Sequence, residues 1–524
     1  MVLLEDKTYQ DLIASGEAKD DEILLLKATA EWYREQLGLA KTRLYSPKSE
    51  HAPVGQEPLL FNEAEACASE VIPDAQSEAL TLAPRTPRGK RQQNLEDLPF
   101  EEIDYVLPAE EQICPACAGA LHAMGEDVKN KIKMIPARAV WVKHVQKKYA
   151  CRNCQQNAIK TPVLIAPMST DAFPNSLASP SAVAHIISDK FVQATPLYRQ
   201  EQSLQRLGLT LSRQTMANWV LAGAAWLEIL LQRMQKDLLS RDILHADETP
   251  LQVLKEPGRA AQTKSYLWLY RSGREGPAIV LFEYQQTRAG EHPRRFLKDF
   301  TGFVNVDGYA GYAGVPHVTL AGCWAHARRK FVEALDSLPT PVRKNGCAPA
   351  HEGLFFCDEL FRIERALHDV TAEERKIGRG ECSEPHLAAF RAWLDAAAIE
   401  TTPTSLLGQA ITYSLNQWPK LIVFLTDGRL EIDNNRAERS IKPFVIGRKN
   451  WLFANTPRGA RSSAVIYSVV ETAKENGLDP RRYIEHLFEV LPGLNQKDPA
   501  ALDALLPWSP EIQSRFGVPP KSIR

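Results

Sequence analysis

Short apolar segments between residues 243 and 335 limit the folds open to this chain more than any other feature. Three strand-like stretches, ILHADETPLQVL, SYLWLY and AIVLFEY, follow one another at hairpin-like spacing. They are followed by a helix-like stretch, GEHPRRFLKDF, by the strand-like FVNVD and VTLAGCWAH, and by the helical ARRKFVEAL. Runs rich in β-branched and aromatic residues and bounded by turn residues predict strands. This order of elements is close to that of a ribonuclease-H-like α/β fold.

Three acidic residues of this part of the chain predict a metal site. Asp247 and Asp307 each stand at the end of a strand-like run, and the predicted sheet makes the first and fourth strands neighbours. Glu438 is the single carboxylate among seven Arg and Lys residues between residues 434 and 461. Hard divalent cations prefer carboxylate ligands, and two of them about 3.5–4 Å apart can activate the attacking oxygen and stabilise the leaving oxygen of a phosphodiester. We therefore predict that the three acids bind Mg²⁺ or Mn²⁺. For Asp247 taken alone, the alternative is an acid that only caps a turn.

The basic segment around Glu438 also holds two competing acids. Asp433 is placed to cap a helix that we expect to end near Pro443, and Glu431 is expected in a loop. Because the cations outnumber the acids here, most of them are expected to contact an external polyanion. The residues predicted to bind DNA phosphates are Arg436, Arg439, Lys442, Arg448 and Lys449.

Two CxxC pairs predict a structural zinc site. Cys114 and Cys117 form the first pair, and Cys151 and Cys154 form the second. Thiolates two residues apart can both bind one tetrahedral Zn²⁺, and a second pair completes the site without an open position for chemistry. The alternative is four reduced cysteines in a core. The other cysteines lack such spacing. In CWAH, Cys323 is expected to be a core cysteine and His326 a polar histidine near the active-site edge. Buried or free thiols are expected at Cys347, Cys357 and Cys382.

Residues 180 to 222 predict three short helices, separated at residues 195–196 and at Gly208. The last of them would begin at the cap Ser212 and suits the recognition helix of a helix-turn-helix. In that interpretation the residues facing DNA are Arg213, Gln214 and Asn218. The alternative is a small helical domain that buries Trp219 and Val220.

The whole chain is predicted to be a multidomain α/β protein. Its net charge is close to zero, with 63 Lys and Arg against 64 Asp and Glu, so affinity for nucleic acid must come from local clusters. No run approaches the ~20 apolar residues of a membrane span, and the acidic start predicts a cytoplasmic protein, at the bacterial nucleoid, that does not contact membranes.

The predicted segments are an N-terminal helical or coiled-coil segment (1–46), a linker (47–112), a zinc-binding domain (113–165), a helix-turn-helix-like domain (175–238), the first part of the core (239–339), a helical insertion (340–425) that includes the charged loop TAEERKIGRGECSEP, the second part of the core (426–490) and a C-terminal tail (491–524).

Four motifs carry a resemblance to a known family. HADETP, VDGYAGY, CWAHARRKF and LNQWPKLIVFLTDGRLEIDNNRAERSIKPFVIGRKNWLF closely resemble the large transposase of the insertion-sequence-66 family, and the resemblance runs to about residue 490. In that family the catalytic DDE triad is the Asp of DETP, the Asp of DGY and the Glu of NNxxER, which implies Asp247, Asp307 and Glu438 here.

The resemblance implies a transposase that binds the terminal inverted repeats of its element, cleaves the DNA strands and joins them to target DNA. It also implies a homo-oligomer on DNA and accessory proteins of the same element. Two alternatives remain: a ribonuclease-H-like nuclease that only hydrolyses, and a non-catalytic, zinc-containing DNA-binding regulator. Metal-dependent strand transfer separates the three.

Overall fold

The computed structural model describes residues 139–150 and 163–518, together with Arg34. The predicted linker, nearly all of the predicted N-terminal helical segment and the four cysteines of the predicted zinc site lie outside these residues.

The central feature of the described chain is a five-stranded sheet in the order β5-β4-β3-β6-β7. β3, β4 and β5 are antiparallel neighbours, whereas β6 and β7 run parallel to β3. The first and fourth strands of this region are therefore neighbours, as predicted. A separate antiparallel pair is formed by β1 and β2. The strands are β1 (Lys148–Ala150), β2 (Val163–Ile165), β3 (Ile243–Gln252), β4 (Lys264–Ser272), β5 (Val280–Gln285), β6 (Gly302–Asn305) and β7 (Val318–Ala321).

Helices surround the sheet and form most of the remaining described chain. They are α1 (Pro180–Phe191), α2 (Leu197–Arg206), α3 (Arg213–Leu239), α4 (Glu291–Phe296), α5 (Trp324–Asp336), α6 (Thr340–Lys344), α7 (Pro349–Ala366), α8 (Ala372–Gly378), α9 (Glu384–Glu400), α10 (Leu406–Leu421), α11 (Asn435–Trp451), α12 (Pro457–Glu475), α13 (Pro480–Val490), α14 (Pro499–Asp503) and α15 (Pro510–Phe516). In the part of the chain that the structure describes, none of these helices is both long and apolar enough to cross a membrane.

The apolar strand sequences are explained by burial on both faces of the sheet. All residues of β4 from Leu267 onwards are buried, because helices cover the sheet on each side. The outer edge of β5 is closed by α12, whose hydroxyl groups accept hydrogen bonds from the strand: Phe282 N donates to Ser468 Oγ at 2.8 Å, and Val280 N donates to Thr472 Oγ1 at 3.0 Å. Side chains thus satisfy backbone donors that an edge strand would otherwise leave unpaired.

The helices before the sheet begin and break where the sequence predicted, but the third is not short. Ser212 caps α3 by accepting a hydrogen bond from Thr215 N at 3.2 Å. Helix α3 then continues for 27 residues, because no strong helix breaker follows the cap and its apolar face joins the core that includes the sheet. Val220 is buried and Trp219 packs against the same core.

The predicted insertion is helical, but its charged segment is not a loop. Within this segment, residues 372–378 form α8, a π-helical turn follows (Arg379–Ser383), and the last two residues begin α9. Thr371 and Glu374 form a reciprocal capping box at the start of α8. The Arg379 side chain is fully buried and donates hydrogen bonds to the carboxylate of Glu364 and to the carbonyl oxygen of Leu430. The charged composition predicts a loop. Instead, Arg379 is buried and holds the chain that leads to Glu438.

Two further expectations are corrected. Helix α11 does not end near Pro443 but continues to Trp451. Proline removes one backbone donor, and the residue four positions earlier, Arg439, is exposed, so water can replace that bond. The segment predicted as a C-terminal tail folds as far as Val518, and its Leu506 and Ile512 are buried in the core.

Candidate active site

The register of the sheet places Asp247 and Asp307 side by side. β3 and β6 are paired in parallel up to His245 and Asn305. Asp247 follows two residues after His245, and Asp307 follows two residues after Asn305. Asp307 lies just beyond the end of β6, as predicted, but Asp247 lies inside β3 rather than at its end, because the antiparallel pairing with β4 continues to Gln252. The two aspartates therefore lie just beyond the point where the pairing of β3 with β6 ends.

The placement of Asp247 among other acids changes its acidity. Burial raises the pKa of the Asp247 carboxyl well above its usual range, and the negative charges of Glu248, Asp307 and Glu438 raise it further. Carboxylates gathered in this way favour a bound cation, which would offset both the burial and the repulsion. Their oxygen donors suit a hard divalent ion such as Mg²⁺.

Asn434 connects the helix of the third acid to the sheet. Its side chain is fully buried; Nδ2 donates to Ala246 O at 2.9 Å, and Oδ1 lies 3.0 Å from His245 Nδ1. Asn434 O accepts a hydrogen bond from Glu438 N at 3.2 Å, in the first turn of α11. The third acid is thus tied to the strand segment that directly precedes Asp247.

The two competing acids have other partners. Glu431, which lies in a loop as predicted, accepts hydrogen bonds from Arg274 at 2.8 Å and from Arg436 at 2.6 Å. Burial would raise the pKa of the Glu431 carboxyl, but the Arg436 hydrogen bond and the neighbouring charges lower it to about 2. Asp433 accepts hydrogen bonds from the backbone and side chain of Asn435, at 3.0 and 2.7 Å, beside the start of α11.

Several supporting side chains could not be identified from the sequence. Glu248, next to Asp247, is buried, accepts a hydrogen bond from Tyr312 Oη at 2.7 Å and pairs with Arg288. Tyr413, from helix α10 of the insertion, donates a hydrogen bond to Asp307 O at 2.8 Å. The position of Glu248 inside the DETP motif could have pointed to it. Tyr312 and Tyr413 had no such signal, because they come from segments distant from Asp247 in the sequence.

The cations predicted to bind phosphates differ in their surroundings. Arg436 is paired with buried Glu431, and the Arg448 guanidinium donates to Pro250 O on β3. These two cations therefore have partners within the protein, while the prediction that most cations of this segment contact an external anion stays a prediction. Arg439 and Lys449 have exposed side chains.

The side chains predicted to face DNA lie on the exposed surface of α3. Arg213 Nε pairs with Glu201 Oε2 at 3.0 Å, and Gln214 Nε2 donates to Asn218 Oδ1 at 3.1 Å. Of the cysteines outside the two CxxC pairs, Cys323 and Cys357 are buried, whereas Cys347 and Cys382 are exposed.

Comparisons with known proteins match one family along the chain. The family model described as "Transposase IS66 family" matches residues 175–462, and the "IS66 C-terminal element" matches residues 468–508. The "zinc-finger binding domain of transposase IS66" matches residues 111–155, which include both CxxC pairs. The prediction of a zinc-binding segment is thereby confirmed at the level of the domain.

Three similar proteins come from Sinorhizobium fredii (strain NBRC 101917 / NGR234). The uncharacterized protein y4jD is 32% identical over 424 residues, covering 78% of this chain and 80% of that protein. The uncharacterized protein y4hP is 32% identical over 414 residues, covering 75% and 73%. The uncharacterized protein y4qI is 30% identical over 468 residues, covering 86% and 82%.

Proposed function

The chain belongs to the IS66 transposase family, and we propose that it is a DDE transposase with a ribonuclease-H-like core. In this proposal Asp247, Asp307 and Glu438 hold Mg²⁺ or Mn²⁺ and catalyse cleavage and transfer of DNA strands. The observation that carries the proposal is the parallel register that sets the two aspartates side by side, with α11 tied to the same strand by Asn434. The strand order β5-β4-β3-β6-β7 supports the assignment of the core.

The chemistry needs two consecutive displacements at phosphorus. In the first, water forms a new bond to phosphorus at the element end and the 3′ oxygen leaves. In the second, that 3′ hydroxyl forms a bond to a target phosphorus and another 3′ oxygen leaves. Bound Mg²⁺ would supply charge neutralisation for the attacking and leaving oxygens.

The chain itself supplies rigidity at this site. Asp247 belongs to a strand paired on its other flank with β4, and Asp307 is anchored by the hydrogen bonds at its own backbone and side chain. Glu438 is held in the first turn of a helix. Fixed carboxylates position the reacting groups without reorganising during the reaction.

DNA binding extends the proposal to other parts of the chain. The exposed face of α3, with Arg213, Gln214 and Asn218, would read the element ends, and Arg439 and Lys449 would contact phosphates. A homo-oligomer on DNA and accessory proteins of the same element complete the proposed assembly. For the zinc-binding segment, we propose the ligands Cys114, Cys117, Cys151 and Cys154.

The active site is tested with Asp247→Asn, Asp307→Asn and Glu438→Gln, each in the full chain. The substrate is a duplex that carries the inverted repeats flanking the gene. Each substitution is expected to abolish Mg²⁺-dependent cleavage and strand transfer while leaving binding to the duplex unchanged. The matched control is Asp433→Asn, a nearby acid held by Asn435.

The same assay separates the alternatives. Activity lost with Asp433→Asn but kept with Glu438→Gln would mean that the third ligand is misassigned. Cleavage by the wild-type chain without joined products would favour a nuclease. Binding of the ends without any cleavage would favour a non-catalytic regulator.

The two proposed DNA contacts predict different signatures. Replacing Arg439 and Lys449 with Ala should weaken binding to all sequences and reduce the salt slope by about 0.9 for each lost phosphate contact. Asn218→Ala should cost roughly 1–3 kcal/mol on the element ends and little on random DNA. Equal losses on both DNAs would exclude base reading by α3.

A further inference from the structure

A second group of metal-ligating side chains lies beside the proposed catalytic site. One donor atom each from Cys323, His326 and Glu438 lies within 4.8 Å of the others. Cys323 directly precedes α5, His326 lies in the first turn of α5, and Glu438 lies in the first turn of α11. The two helix starts are joined because Asn434 N donates to Cys323 Sγ at 3.2 Å.

Two atoms of this group are buried and have no hydrogen-bond partner among the residues that the structure describes. They are His326 Nδ1 and Glu438 Oε1, and they face each other at 3.7 Å. This distance is too long for a hydrogen bond. Nitrogen and oxygen ligands that each lie about 2.0–2.2 Å from a tetrahedral ion are about 3.3–3.6 Å apart. A cation between the two atoms would therefore satisfy both with a small adjustment.

The donor set indicates which cation would bind. Sulfur, imidazole nitrogen and one carboxylate oxygen form a mixed set that favours Zn²⁺ over Mg²⁺, whose preferred ligands are oxygens. Burial raises the pKa of the Cys323 thiol, and the hydrogen bond from the Asn434 N–H offsets this only in part, so the thiol proton would pass to solvent only when the metal binds.

We propose that Cys323, His326 and Glu438 form a binding site for Zn²⁺ or a similar borderline-soft divalent cation. This site differs from the four-cysteine segment and from the hard-metal site at Asp247 and Asp307. Glu438 belongs to both the Zn²⁺ site and the proposed catalytic site. If the proposed function holds, bound Zn²⁺ would compete with Mg²⁺ for the third acid and so inhibit cleavage.

The test compares bound zinc in the full-length wild type with that in Cys323→Ser and Glu438→Gln. After equilibrium dialysis against Zn²⁺, elemental analysis gives the number of zinc ions per chain. The wild type is expected to hold one more Zn²⁺ than either variant, and any zinc at the four-cysteine segment cancels in this difference. The matched control is Cys357→Ser, a buried cysteine of α7 that is expected to hold as much zinc as the wild type.

Equal zinc contents in the wild type and in both variants would overturn the proposal. Glu438→Gln decides the outcome if Cys323→Ser fails to fold, because Glu438 is only partly buried and glutamine keeps its volume. Asp247→Asn separates this proposal from the proposed function. That variant is expected to keep the additional zinc while losing cleavage, and retained cleavage would contradict only the catalytic assignment.

Discussion

Replacing Asn434 with Ala removes the side chain that ties α11 to β3. In the wild type this buried amide makes contacts of 2.9 Å with Ala246 O and 3.0 Å with His245 Nδ1. The substitution leaves both partners without their hydrogen bond in a region that water does not reach. Unpaired buried groups cost about 1–3 kcal/mol each, so with two such groups the first turn of α11 should lose about 2–6 kcal/mol of local stability.

Hydrogen exchange measured by mass spectrometry tests this loss directly. A cost of about 1.4 kcal/mol corresponds to a tenfold change in an equilibrium constant, so exchange in the first turns of α11 should accelerate by about 30-fold or more. The control is Asn435→Ala, whose amide donates a hydrogen bond to Asp433, two residues earlier, and not to the sheet. It should change exchange in the same peptides less than tenfold.

An anchoring role of Asn434 is excluded if α11 exchanges at the wild-type rate in Asn434→Ala, or if both asparagine variants show the same acceleration. Either result would mean that Asn434 does not hold the third acid against the sheet. A parallel Mg²⁺ titration of cleavage should show a higher Mg²⁺ requirement in Asn434→Ala than in Asn435→Ala, because Glu438 would be less firmly placed.

Two further predictions concern stability. The pKa of Glu431 is lowered from 4.5 to about 2, so its charge should contribute about 3 kcal/mol to the free energy of unfolding above pH ~4.5, and this contribution should fall as the pH decreases towards 2. Denaturant unfolding of the wild type and Glu431→Gln between pH 7 and pH 3 checks this, and a difference that grows on acidification would contradict it. Gly353→Ala would place a methyl group 2.4 Å from the buried ring of Phe331 and should cost about 1–3 kcal/mol. The control Gly380→Ala meets open space, so equal changes in melting temperature in the two variants would argue against close packing at Gly353.

Much of the fold was predictable because its signals are local. The strand segments and the cap at Ser212 were recognised from short-range patterns. The errors arose where distant contacts override local composition. The charged segment 371–385 is helical because buried Arg379 finds Glu364 and backbone carbonyls, and α11 passes Pro443 because its apolar face packs on the sheet.

The same distinction applies to the candidate site. The sequence alone supplied its three acids, the order of the strands and the expectation that the first and fourth strands are neighbours, since motif and periodicity are properties of the chain. Only the tertiary structure decided that Asp247 lies inside its strand, that Asn434 ties Glu438 to it, and that two of the predicted DNA-binding arginines have partners within the protein. These features depend on contacts between residues up to about two hundred positions apart, and the packing of helices on the sheet brings those residues together.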